Sequence, residues 1–462
     1  MKSPKSKTLS DFCIFRDSPQ KVKDSLGDGE DLNFVGLKYE GGKDGNGLQI
    51  CFPLGFKRCS KSAELHKSIF TLLKVLGDGN LTRNAQGSIC HDSDFLVEQE
   101  FPLQAYINVL RFFLDHGYFM ETEVVYSRGK SGKVNWSRTI KLTKPIVSED
   151  ESGRCSTVYL DLVTRKTNHQ DDLLITQIHK FCVYDGVQKI GPLFGLFNAE
   201  KSGFETDDFA NLYYKLFSQT LQQKIANTFN DSHLNLFNSM LQIVNYLGDQ
   251  KIKDNDKARD FKFGVNKFAP LWENMVESIF GNKNREDFYP KCVWHVKNAP
   301  SLEMRPDTVM EHDGDLFILD SKFYKYGVAG FGLPQSDSVT KQMAYAEYAQ
   351  EKINRKDRGC ENLKKVYNVF VMPYCGSVDA GPKRPFAMKY AGYATSDWKK
   401  DGDEELEKFP YHRIIAILMD VKTVMENYAA NASAQNSLAE MARESILNPP
   451  HSEFSEHPRR NS

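Results

Sequence analysis

Two aspartates and a lysine, Asp307, Asp320 and Lys322, lie in the stretch EMRPDTVMEHDGDLFILDSKFYKYG that begins at Glu303. Within it, Asp313-Gly314 is a two-residue hairpin signal between apolar-rich runs. If those two residues form the loop, His312 faces Asp315, Met310 faces Phe317 and Asp307 faces Asp320. Directly opposed residues share a face with Cβ atoms about 4.5–5.5 Å apart, and Lys322, two positions beyond Asp320, points the same way. Carboxylates that close raise one another's pKa unless a cation lies between them. A divalent metal relieves the repulsion, and hard oxygen donors suit Mg2+ or Mn2+. Such an ion activates water and clamps a phosphate. The ammonium of Lys322 can orient or deprotonate the water, or offset charge developing on phosphorus. That is the chemistry of phosphodiester hydrolysis. The bland alternative makes Asp320 and Lys322 a strand-end ion pair and Asp307 a turn cap. Against it, Asp320 closes an apolar run, Leu316-Phe317-Ile318-Leu319, that reads as a buried strand.

A hairpin supplies two carboxylates, and a metal site of this kind needs a further oxygen ligand. The helix expected over residues 267–280 offers Glu273 and Glu277. At about 100° per residue, Trp272, Met275, Val276, Ile279 and Phe280 form one apolar face. Glu273 sits at its edge and Glu277 farther round toward solvent. Glu273 is therefore the expected third ligand and Glu277 a wetter bystander.

The elements that must hold these groups form an α/β pattern. Strand-like runs at 291–296, 305–311, 315–324, 366–373, 388–394 and 414–421 are interrupted by a helix over 339–354. Upstream, helices are expected at 63–76 and 102–116, the latter with Pro102 at its start and Gly117 past its end, and at 209–229 and 234–247. Two strand-like runs, 118–126 and 134–146, flank SRGKSGK, an order expected of a winged-helix unit. Between Val124 and Ser148 there are six basic residues and no acidic one. Arg128, Lys130, Lys133 and Arg138 are the expected contacts to a DNA backbone, set against a hairpin merely solvated by its charges. The Gly-rich run 41–47 lacks the GK[ST] ending of a phosphate-cradling loop and reads as tight turns. The expected division is a β-rich segment 1–60, a winged-helix-like region 61–150, a mainly helical linker 151–260, a catalytic domain 261–445 and a tail 446–462 of disordered composition.

Composition bounds the remainder. The 462 residues are 40% hydrophobic and 26% charged, ordinary globular values. Sixty basic residues face 61 acidic ones, so a DNA-binding surface must come from local clustering. Nine cysteines without a CxxC argue against a zinc knuckle or disulfide framework and for a reducing cytoplasm. No apolar leader or membrane-length run is visible.

Pro306-Asp307 followed by Asp320-Ser321-Lys322 is the PD-(D/E)xK signature. Gln342 and Tyr345, in the helix after Pro334-Gln335-Ser336-Asp337-Ser338, look like the QxxY-type element that some such nucleases place beside the active site. The chain resembles the LlaJI family of restriction endonucleases, similar in role to the McrC nuclease subunits, over about residues 265–420 and more loosely over 60–150; Gly132 to Ile140 adds to the likeness. The resemblance implies a restriction-endonuclease-like domain with a mixed central sheet flanked by helices, preceded by an α+β region. It implies metal-dependent cleavage of foreign double-stranded DNA, in defence against phage, with Gln342 assisting and a helix glutamate joining the aspartates. It also implies a separate McrB-like AAA+ GTPase partner, and this sequence carries no GxxxxGK[ST] of its own. A non-catalytic DNA-binding scaffold, or a repair nuclease of the same fold, remains the alternative.

Overall fold

The computed structural model describes residues 13–17, 34–40, 47–57, 62–79, 81, 101–129, 133–149, 155–170, 174–201, 212–253, 261–296, 302–329, 332–376 and 385–449. The chain divides into two compact units: Met1–Glu40 with Asp44–Gln99 and Phe261–Ser462, and Gly41–Lys43 with Glu100–Asp260. Among the described residues no helix is long and apolar enough to cross a membrane.

The first unit is built on a five-stranded mixed sheet. Its order is Thr308–His312, Asp315–Ser321, Val366–Tyr374, Ile414–Asp420, Lys389–Ala394. The middle three strands run parallel and the two outer ones antiparallel to their neighbours. Every residue of Val366–Tyr374 and of Ile414–Asp420 is buried. Such unbroken apolar runs suit parallel strands covered on both faces. The helix Ser336–Asn354 lays Tyr345, Ala346, Ala349 and Ile353 against Val309, Leu316, Ile318 and Val366. The helix Ala269–Phe280 buries Leu271, Trp272, Met275, Val276, Ile279 and Phe280, the face read from its periodicity plus Leu271.

A four-stranded sheet completes this unit in the order Cys13–Asp17, Gly47–Phe52, Val35–Glu40, Phe261–Val265. Gly36 pairs with Gly264 across the last two strands. A Cβ on Gly36 would stand 2.2 Å from the Phe263 carbonyl oxygen, and one on Gly264 2.2 Å from that of Val35, so both must be glycine. This pairing corrects the expected division. The strands of residues 1–60 and the helix Ser62–Gly77 join the unit that contains the sheet of Asp320, rather than forming separate regions.

The second unit holds the helices Leu103–His116, Leu174–Ile190, Leu212–Ala226 and Asp231–Lys253. Its small sheet pairs Glu121–Arg128 antiparallel with Val163–Gln170, and Lys133–Val134 lies on the far side of the latter. The winged-helix expectation therefore fails. The run expected as a strand over 134–146 holds the helix Trp136–Leu142, started by the Asn135 side chain, which accepts from the Arg138 N–H at 3.0 Å. That cap satisfies an otherwise orphaned backbone donor and outweighs the β-branched residues Thr139 and Ile140. The expected break at residue 150 also falls inside this sheet's connection. The Gly-rich run 41–46, Lys130 and residues 450–462 of the tail lie outside the described residues. The helix Ala432–Leu447 runs two residues past the expected start of the tail at 446.

Candidate active site

Asp313 and Gly314 adopt φ values of 53° and 77°. Positive φ at both central residues is the geometry of a type I′ hairpin turn, for which Asp-Gly is favoured. The ladder that follows pairs His312 with Asp315, Met310 with Phe317 and Thr308 with Leu319. One further step of this register sets Asp307 against Asp320. From the far end, Arg443 pins the hairpin, donating from Nε to Asp315 Oδ2 at 2.9 Å and from Nη2 to the His312 carbonyl at 2.8 Å.

Asp307 is half-buried, and its Oδ2 accepts from the Ser321 N–H at 2.8 Å. Asp320 is 5% exposed and takes the Lys322 ammonium at 2.8 Å from Oδ2. Burial, then the nearby charges of Asp320 and Glu273, hold Asp307 well above the usual carboxylate range. Glu273 projects from the helix toward the same charges. Burial pushes its carboxyl up to about 7, Lys322 opposes that, and Asp320 adds to it. Burial disfavours the charge on Lys322, but Asp320 and Asp307 outweigh it and the ammonium is held above its ordinary value. The carboxylates of Asp320 and Asp307 thus favour Lys322 as a cation.

Of the expected site residues, the structure gathers Asp307, Asp320, Lys322 and Glu273 into one electrostatic cluster. Gln342 is placed differently. It is fully buried and donates from Nε2 to the Ile318 carbonyl at 2.7 Å, so it fastens its helix to the Asp320 strand. Among the described residues its Oε1 has no hydrogen-bond partner. Tyr345 donates to the Arg305 carbonyl at 3.2 Å, and burial, with Asp320 and Asp307 nearby, raises its hydroxyl to about 12.

Glu277 is the wetter of the two glutamates, as expected, and it meets a cation. It is half-buried, and its Oε2 meets Arg285 Nη1 at 3.2 Å. The same nitrogen donates to the Asp307 carbonyl at 3.0 Å. Arg285 belongs to the short 3-10 turn Arg285–Phe288, and no periodicity or motif marked it. The signal available was its place in the loop between two carboxylate-bearing elements.

Oxygen donors from three segments, two of them displaced toward protonation by burial and mutual repulsion, match a hard divalent cation in donor chemistry. Among the described residues, no three His, Cys, Asp or Glu side chains already stand as a metal cage. The Lys322 ammonium supplies the counter-charge in this state.

The basic residues lie in the second unit. Arg128 and Lys133 are exposed, Arg128 reaching the Leu142 carbonyl at 3.4 Å. Arg138 stacks its guanidinium 3.8 Å from the Tyr126 ring centre. Beside them Trp136, Ile140, Leu142, Ile146 and Val147 are exposed. Cys155, Cys182, Cys292 and Cys360 are free thiols.

A mixed α/β unit with an acid–lysine cluster at a hairpin mouth is the setting in which relatives become informative. The chain belongs to the LlaJI restriction endonuclease family, which it matches over residues 45–380. It is similar to a Bacillus subtilis (strain 168) protein named type II restriction enzyme BsuMI component YdjA, with 23% identity over 283 residues, 57% of this chain and 56% of that protein. The chain thus spans a little over half the length of this curated relative. Among solved structures it is similar to a half-complex of Thermococcus gammatolerans McrB AAA+ hexamers with bound McrC, at 14% identity and a TM-score of 0.34, covering 88% of this chain and 82% of that one.

Proposed function

We propose that this chain is a metal-dependent endonuclease that hydrolyses phosphodiester bonds of double-stranded DNA, with a PD-(D/E)xK centre formed by Asp307, Asp320, Lys322 and Glu273. The observation that carries the reading is the convergence of three carboxyls and one ammonium at the end of a hairpin whose register joins Asp307 to Asp320. Family membership supports it.

Asp307, Asp320 and Glu273 would hold Mg2+ or Mn2+. When bound, the ion supplies Lewis acidity and neutralises charge on the phosphate. The chain's own groups do the rest. Lys322, kept cationic by its carboxylates, stands ready to balance the charge that grows on the phosphoryl oxygens. The Ser321 N–H fixes the Asp307 carboxylate, and Gln342 holds the strand beneath Asp320 through the Ile318 carbonyl. Gln342 is therefore a positioning residue in this reading.

Arg128, Lys133 and Arg138, with Lys130, are proposed to contact the DNA backbone. The Bacillus relative is named a component of a restriction enzyme, which supports a multi-subunit machine. The proposed companion is an AAA+ GTPase that selects and feeds the DNA, and the proposed setting is the cytoplasm.

A plasmid-cleavage assay with the full chain, with and without candidate partner subunits, tests the reading. Mg2+ and Mn2+ should support nicking or linearisation, while Ca2+, looser in geometry, should bind without cutting. Undiminished cleavage in excess EDTA would overturn it, as would metal-independent binding with no cutting under any of these conditions.

A further inference from the structure

Glu273 and Asp307 come from different segments, a helix and the entry to a hairpin, so their separation depends on whatever joins those segments. One side chain does so directly. Arg285 Nη1 carries two hydrogens. It donates to the main-chain carbonyl of Asp307 at 3.0 Å and forms an ion pair with Glu277 Oε2 at 3.2 Å. Glu277 lies four residues after Glu273, one turn along the same helix side, so Arg285 links the edge of the helix that carries Glu273 to the main chain of Asp307. The carbonyl of Asp307 belongs to the residue whose carboxylate takes the Ser321 N–H. Asp307 is thereby fixed twice, through its main chain by Arg285 and through its side chain by the neighbouring strand.

The helix does not need this strap to stay in place. Trp272, Met275, Val276, Ile279 and Phe280 are fully buried beneath it. That apolar face, rather than the ion pair, anchors the helix. What the strap does determine is the distance and orientation between two oxygen donors. Its charge also lies near enough to Glu273 to interact with that carboxylate.

We infer that Arg285, braced by Glu277, is a positioning residue that sets the spacing of Glu273 and Asp307 for a divalent cation. This rests on the proposed nuclease reading. A guanidinium is suited to the task because its rigid fork of donors can hold a carbonyl while its delocalised charge pairs with a carboxylate, whereas the ammonium of lysine is a compact point charge. Partners that orient metal ligands typically contribute about 10–100-fold to metal affinity or activity.

The test is Mn2+ binding to the full-length protein without DNA, by calorimetry, beside the Mg2+ concentration giving half-maximal plasmid cleavage. Arg285→Ala should raise both by about tenfold or more, with the thermal midpoint nearly unchanged. Arg285→Lys should recover little of the loss. Glu277→Gln should shift both in the same direction by less, and Glu277→Gln added to Arg285→Ala should add nothing, as expected of residues acting through one another. Wild-type metal affinity in folded Arg285→Ala or Arg285→Lys protein overturns the inference. If the alanine variant fails to fold, Arg285→Lys and Glu277→Gln decide on the same criterion. A wild-type chain that binds no Mn2+ and cuts nothing removes the nuclease reading itself. A wild-type chain that binds and cuts, with variants matching it, removes the role of Arg285 alone.

Discussion

In the hairpin Thr308–His312 and Asp315–Ser321, charged groups stand at the mouth of a strand whose interior residues are buried. Among the described residues from Arg128 to Leu142, charged and apolar side chains alike face water, and Thr139 is the buried residue of its helix. The first arrangement makes charge consequential. Burial removes the solvent that would screen Asp307 and Glu273, so each feels its neighbours and is displaced toward protonation. The second leaves charge screened by solvent. Chemistry is therefore expected where few charges are desolvated together, and grip where many are solvated.

The largest effects should come from the desolvated cluster. Asp320→Ala and Lys322→Ala should each lower plasmid cleavage by about 10³-fold or more, given several kcal/mol from charge stabilisation and about 1.4 kcal/mol per tenfold. Circular dichroism should show the fold retained. Cutting near the wild-type rate in either variant would erase the distinction between the two regions.

Next comes Glu273→Gln, for which a loss of about 10²-fold is expected by the same arithmetic. Glu277→Gln should cost less, because it acts only through Arg285. The opposite ranking would mean that the helix presents its other edge to the hairpin.

The basic segment should respond through binding rather than turnover. Replacing Arg128 and Lys133 by alanine should weaken DNA binding and flatten the log–log salt dependence by roughly 0.9 per lost phosphate contact. Arg138→Ala should change it less, since its guanidinium is already stacked on Tyr126. An unchanged slope would leave the segment as a solvated surface.

The smallest effect is on stability. A carboxyl raised in the folded state, as Glu273 is to about 7, makes the folded form bind more protons than the unfolded one. Its contribution is fully present below the unfolded value and is lost as pH rises through the folded one. The metal-free protein should therefore melt a few degrees lower at pH 8 than at pH 5 on this group's account. Glu273→Gln should reduce that drop, and Mg2+ should offset it at pH 8. A melting temperature that climbs over the same interval by way of Glu273 would contradict the assigned desolvation.

Legibility followed the same contrast. The hairpin could be read because a two-residue turn fixes register, and register fixes which side chains meet. The phase of the Glu273 helix could be read because burial imposes a period. Arg285 escaped because a 3-10 turn has no period, and its function depends on two partners separated from it in sequence. Residues 134–146 misled because β-branched side chains there looked like a strand, while the single Asn135 cap started a helix. Gln342 was recognised as belonging near the site, but only packing reveals that its amide is spent on the Ile318 carbonyl.

The pairing of Val35–Glu40 with Phe261–Val265 has a consequence for synthesis. Translation proceeds at roughly 5–20 residues per second, so the first of these strands emerges roughly ten to fifty seconds before its partner exists. In that interval the chain from Glu100 to Asp260 is delivered whole and in one piece, and it can fold while the earlier strands wait. The carboxylate hairpin follows later still. A ribosome-bound chain stalled before residue 261 should thus display a protected middle and a protease-sensitive beginning, and the carboxylate–lysine cluster could not assemble until synthesis had passed Lys322.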